Sequence, residues 1–229
     1  MKKLALVLGL LLVVTVGSVF KHQVSLKPAT FKIGQERPWC TAFAISDTVA
    51  VTAAHCVVDD VTLTTDQITM FDQNDVAFGV GKMQLAKHPL MDLATVTGDF
   101  SNRRKLPVPT GRFELDPNDH YDSCGFPMMT KTLTCSHVKI NSIFADGGFV
   151  GASGPGYMIF GMSGGPVFNT DKNVVVAVNT GLNGRELMFS PFIDIESQVA
   201  VPTPEMIMYK LLQGGISSVI HLDTIEQYK

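Results

Sequence analysis

From residue 42 onward, apolar and polar positions alternate in short bursts rather than at helical spacing. Ala42-Phe43-Ala44-Ile45, the turn Ser46-Asp47 and the run 48–52 read as a hairpin that leads into His55. Residues 67–71, 76–85 and 93–96 are further short strands with turn residues between them, and Phe31-Lys32-Ile33 begins an earlier one. Ser101-Asn102-Arg103-Arg104-Lys105, with Pro107, Pro109, Gly111 and Pro117, interrupts this rhythm as a polar connection between two halves. Strands resume at 121–126, 132–143, 165–168, 174–178 and 187–192, and the glycine-rich stretch 146–156 reads as a surface loop. One helical signal stands near the end. Thr203-Pro204-Glu205 supplies a cap, a first-turn proline and an early acid, and the helix would run to Gln213, where Gly214-Gly215 stops it. Met206, Met208 and Leu211 would pack that helix on the core. Evenly spaced short strands predict an all-β barrel or sandwich.

The first residues change the picture. Lys2 and Lys3 precede the apolar run 4–16, broken only by Gly9 and Thr15, with Gly17-Ser18 after it. That order reads as a secretory signal over residues 1–20, or as a signal anchor if it is retained. Export would make the chain secreted or periplasmic, and retention would tether it to a membrane through residues 4–20. Four cysteines in an exported chain suggest two disulfides, for which the residues alone leave three pairings open. A hydrophobic share of 45% against 17% charged residues marks a folded chain with a substantial core. The formal charge of -3, without a run of like charge, argues against nucleic acid as a partner.

The candidate chemistry lies in three stretches. Gly161-Met162-Ser163-Gly164-Gly165-Pro166 places a hydroxyl between small residues on a tight turn, where backbone N–H groups are free to meet a developing oxyanion. Taken alone, it is equally well an ordinary turn. A nucleophilic hydroxyl needs a base and the base needs an orienting carboxylate. His55 in Thr52-Ala53-Ala54-His55-Cys56 and Asp92 before Leu93-Ala94-Thr95-Val96 supply these groups, in one of the known triad orders. His88 lies near Asp92 but precedes Pro89 and reads as a strand-end residue; His22, His120, His137 and His221 lack ligand spacing, so neither a metal site nor a cofactor is expected. Asp72, Asn74 and Asp75 form an incomplete calcium pattern and read as a solvated turn.

These three stretches resemble the signature segments of chymotrypsin-like (trypsin-like) serine proteases, and the likeness extends faintly over residues 38–212. The resemblance implies two antiparallel six-stranded β-barrels and a C-terminal helix. The first barrel would occupy residues 21–110 with His55 and Asp92, the second residues 111–229 with Ser163. It implies a serine endopeptidase acting on protein or peptide substrates through an acyl-enzyme. Gly161 and Ser163 would donate the oxyanion N–H groups. It implies a Cys40–Cys56 bridge pinning the histidine loop, with Cys124–Cys135 as the second pair. Residues 174–181 are similar to the strand that pairs with substrate, which makes Asn179, Thr180 and Gly181 substrate-binding candidates. Tyr157 would lie at the base of the primary specificity pocket, where trypsin-like enzymes carry an aspartate, so a neutral residue before the scissile bond is expected. Met162 stands where the family's zymogens keep the aspartate that receives a new N-terminal amine, so activity without that cleavage is expected. The competing class is a protease-like module that binds a peptide without cutting it.

Overall fold

The computed structural model describes residues 26–57, 66–85, 92–109, 115–143, 149–154, 160–182 and 215–221. These contain twelve strands and two single-turn 3₁₀ segments, and no α-helix. Strands β1 (Thr30–Gly34), β2 (Pro38–Ala44), β3 (Val49–Thr52), β4 (Gln67–Phe71), β5 (Ala77–Leu85) and β6 (Ala94–Thr97) close a barrel in the order β1-β2-β3-β6-β5-β4. All of its pairings are antiparallel. Alternation along these strands sorts the side chains. Phe31, Ile33, Ala42, Ala44, Ala50, Ala94 and Val96 fill the barrel interior with Phe100, while Phe43, Val51 and Leu93 point the other way. Alanines at so many inward positions leave room for the phenylalanine rings within a narrow six-strand closure.

The second sheet comprises β7 (Tyr121–Gly125), β8 (Thr134–Ile143), β9 (Phe149–Gly154), β10 (Pro166–Asn169), β11 (Val174–Leu182) and β12 (Gly215–His221). Its strand order is β10-β11-β12-β9-β8-β7, and β10 also pairs with β7. Read from β7, this is the same winding as in the first barrel. Phe43, Val51, Leu93 and Leu106 meet Cys124, Phe126, Leu133, Phe168, Val175 and Val178 in one apolar cluster shared by both sheets. The polar connection crosses at this cluster. Leu106 N–H donates to Ala44 of β2, and the Pro107 carbonyl accepts from Val175 N–H of β11, at 2.9 Å each.

Most predicted strands lie within a residue or two of their observed positions, and 67–71 coincides with β4. One reading is corrected. The glycine-rich stretch 146–156, expected as a loop, contains β9, which pairs on one side with β8 and on the other with β12. Two flanking strands satisfy its backbone, so its glycines mark a strand interior rather than a turn. Gly215, the second residue of the glycine pair, begins β12. The signal segment, the 187–192 strand and the 203–213 helix lie outside the described residues. The Asp72 turn holds its own backbone, since Asp72 Oδ1 accepts from Asn74 N–H at 2.8 Å and Val76 N–H at 3.0 Å.

Candidate active site

The antiparallel register of β3 and β6 sets Thr52 opposite Ala94. Continuing that register beyond the strands brings Asp92 beside the 3₁₀ turn Ala54–Cys56, which carries His55. The Asp92 carboxylate engages this turn twice. Oδ1 accepts the His55 backbone N–H at 2.7 Å, and Oδ2 lies 2.6 Å from His55 Nδ1. A carboxylate at Nδ1 holds the proton there and leaves Nε2 as the basic nitrogen. Both side chains remain partly open to solvent. Cys56 is bonded to Cys40 of β2, and Trp39 Nε1 donates to the Cys56 carbonyl at 2.9 Å, so the turn is fixed twice at the residue after its histidine. The second disulfide joins Cys124 and Cys135, directly opposed on β7 and β8. Both bridges match the expected pairing.

Ser163 sits on a four-residue turn closed by Gly165 N–H donating to the Met162 carbonyl at 3.0 Å. Gly164 takes the left-handed third place, with φ of 80°, and Gly161 precedes the turn at φ 95°. Glycine is required at both places for a second reason. A Cβ on Gly164 would strike Thr52 Oγ1 and the Thr41 carbonyl, and one on Gly161 would strike the Phe126 carbonyl.

The serine turn is fastened to the first barrel. Thr41 N–H donates to the Ser163 carbonyl at 2.8 Å, and Thr41 Oγ1 donates to the Gly161 carbonyl at 2.7 Å. The same hydroxyl accepts Phe126 N–H at 3.1 Å, while Thr52 Oγ1 donates to the Thr41 carbonyl at 2.8 Å. Thr41 directly follows Cys40, whose partner Cys56 adjoins His55, so the serine turn and the histidine turn share one support. Among the described residues, no hydrogen bond joins the Ser163 hydroxyl to His55. His55 Nε2 lies 3.7 Å from Cys56 Sγ. Cys40, His55 and Cys56 bring three potential metal-ligand atoms together, but both sulfurs are spent in the disulfide and offer no thiolate.

Asn179, a substrate-binding candidate, supports the turn. Its carbonyl accepts Gly164 N–H at 2.7 Å and its N–H donates to the Gly165 carbonyl at 2.9 Å. Its side chain receives the Ser123 hydroxyl at 2.9 Å and donates to the carbonyls of Cys124, at 3.0 Å, and Met162, at 3.4 Å. With both backbone groups and its amide engaged, it has little left to offer a ligand. Thr180 is buried beside it, where the pairing of β11 with β12 shifts register before Gly181. Tyr157 lies outside the described residues. Sequence reasoning missed Thr41, Thr52 and Ser123 as supports. Their one visible signal is a hydroxyl on an otherwise apolar, buried strand.

Comparison with known proteins agrees with this architecture. No curated protein matches the chain. The serine endoprotease from Yersinia pestis superposes with a TM-score of 0.53 at 20% identity, over 70% of this chain and 56% of that one. This chain therefore spans little more than half of that enzyme. The active form of the Rv3671c protease from M. tuberculosis superposes with a TM-score of 0.57 at 16% identity, over 89% of this chain and 80% of that one. The inactive form of the Rv3671c protease gives 0.59 at 15% identity, over 89% and 88%. At these identities the likeness is one of fold. Residues 40–178 match the trypsin-like peptidase domain, a span that holds the histidine turn, Asp92, the serine turn and the strand behind it, and the chain belongs to that family.

Proposed function

We propose that the chain is a serine endopeptidase built on two six-stranded barrels with a terminal helix, the first within residues 21–110 and the second within 111–229. The observation that carries the reading is the His55 Nδ1 contact with Asp92 Oδ2 at 2.6 Å, set beside a serine turn hydrogen-bonded to Thr41. His55 Nε2 takes the Ser163 proton as Oγ attacks the scissile carbonyl, and Asp92 stabilises the imidazolium that results. The N–H groups of Gly161 and Ser163 receive the oxyanion. His55 then returns the proton to the leaving amine, and water repeats the sequence on the acyl-enzyme. The substrates are proteins or peptides. The residue before the scissile bond is neutral, since Tyr157 offers no charge to a basic side chain. Residues 1–20 direct export, so the enzyme works outside the cytoplasm, or on the membrane where the segment is kept. The two disulfides support that compartment.

The test is labelling of the purified protein with a biotinylated fluorophosphonate, followed by peptide mapping and peptide hydrolysis assays. Modification at Ser163, with Ser163→Ala abolishing both labelling and turnover, is the expected result. A folded protein that neither labels nor hydrolyses would overturn the reading in favour of a peptide-binding module.

A further inference from the structure

Lys32 is the one charged residue without solvent exposure among the described residues. Its position follows from strand alternation. Phe31 and Ile33 enter the first barrel, which turns Lys32 outward toward the second sheet. There the ammonium has three polar partners: Asp75 Oδ1 at 2.6 Å, the Met129 carbonyl at 2.9 Å and the Gln73 carbonyl at 3.2 Å. Three partners match its three N–H groups. The Phe126 ring centroid lies 5.4 Å away. Gln73 and Asp75 belong to the first barrel, whereas Met129 and Phe126 belong to the 3₁₀ turn Pro127–Met129 and its cap in the other half.

That turn is unusual. Met128 and Met129 both have left-handed backbones, with φ of 49° and 56°, which side chains seldom adopt unless the surroundings hold them there. It also touches the serine turn directly. Met128 N–H donates at 2.6 Å to the Phe160 carbonyl, which shares its peptide with the Gly161 N–H. A Cβ on Gly161 would meet the methyl end of Met129 and come within 3.1 Å of its backbone nitrogen. A continuous line of contacts therefore runs from the Lys32 ammonium through Met129 to the peptide whose N–H would bind the oxyanion.

We propose that Lys32 is a positioning residue: with Asp75 it holds the left-handed Met128–Met129 turn, which fixes the direction of the Gly161 N–H. The proposal rests on the protease reading. Replacing a buried ion pair as a whole by apolar residues of similar volume is often neutral for stability, so a general contribution to folding does not explain a lysine here. Losing it would free the Met129 carbonyl and let the two methionines relax to right-handed conformations. Phe160 would then lose its donor and the Gly161 peptide its fixed orientation.

The experiment compares full-length wild type, Lys32→Met and Asp75→Asn. Peptide kcat and KM are measured per serine titrated with fluorophosphonate, together with the ³¹P shift of the phosphonyl adduct. Lys32→Met should lower kcat per titrated site about tenfold, part of the roughly hundredfold or greater loss seen when an oxyanion donor is removed. KM should stay nearly unchanged and the ³¹P resonance should move. Asp75→Asn keeps the exposed turn and removes only the charge partner, so it should give the same effect at smaller size. Unchanged per-site kcat and ³¹P shift in Lys32→Met overturns the proposal. If that variant does not fold, unchanged values in Asp75→Asn overturn it. A wild type that neither labels nor turns over refutes the protease reading instead.

Discussion

Thr41→Val tests the join between the serine turn and the first barrel with a change of almost no shape. The variant loses one hydroxyl in a site with no solvent, and two groups lose their partner at once. The Gly161 carbonyl forfeits a 2.7 Å donor and Phe126 N–H a 3.1 Å acceptor. Each buried group left unpaired costs about 1–3 kcal/mol, so the pair should cost about 2–6 kcal/mol. A domain of this kind is stable by roughly 5–15 kcal/mol, so the variant should still fold. Thr41→Ser is the control. It keeps the hydroxyl and loses one methyl, worth about 1 kcal/mol. The backbone bonds from Thr41 N–H to Ser163 and from Thr52 to the Thr41 carbonyl survive in both variants. Urea unfolding should place Thr41→Val about 2 kcal/mol below Thr41→Ser, with unchanged m-value. Its kcat should fall by about tenfold or more, because an unpaired Gly161 carbonyl frees the peptide that links the two oxyanion N–H groups. Equal stability and equal kcat in the two variants would refute this account of the turn.

Asn179→Leu removes the amide from the Cys124 and Met162 carbonyls and the acceptor from Ser123, so it should cost about 2–4 kcal/mol and lower kcat with little change in KM. A raised KM at unaltered stability would return Asn179 to the substrate side. Burial first, and then the negative charge of Asp119, push the Tyr121 hydroxyl up to about 12. The folded state then keeps a proton that the unfolded chain releases near pH 10, so stability should be full below about pH 10 and decline as pH rises toward 12. Chemical denaturation across that range should show the decline, and Tyr121→Phe should flatten it.

The strands that could be read from sequence were those whose pattern is local. Residues 67–71 carry Ile68, Thr69 and Phe71, end at an aspartate turn, and need no distant partner to be recognised. The β9 strand escaped notice because Gly151 and Gly154 resemble turn signals, and only pairing with β8 and β12 makes them a strand. The chemical groups could be read because a hydroxyl, an imidazole and a carboxylate announce their chemistry by type. Their supports could not. Thr41 acts on Gly161, 120 residues away, and Lys32 on Met129, 97 away, and nothing in either neighbourhood names the other. The support that Asn179 gives the serine turn was not legible either, because its position is visible in sequence and the direction of its amide is not.

The dependence of the serine turn on Thr41 also orders events during biosynthesis. The support, the imidazole and the carboxylate leave the ribosome first, and the candidate nucleophile follows roughly 70 residues after Asp92, several seconds later at ordinary elongation rates. The bonds from Thr41 that fasten the serine turn can form only once the strand carrying Thr41 is in place. A nascent or truncated chain therefore presents a base without a hydroxyl to activate.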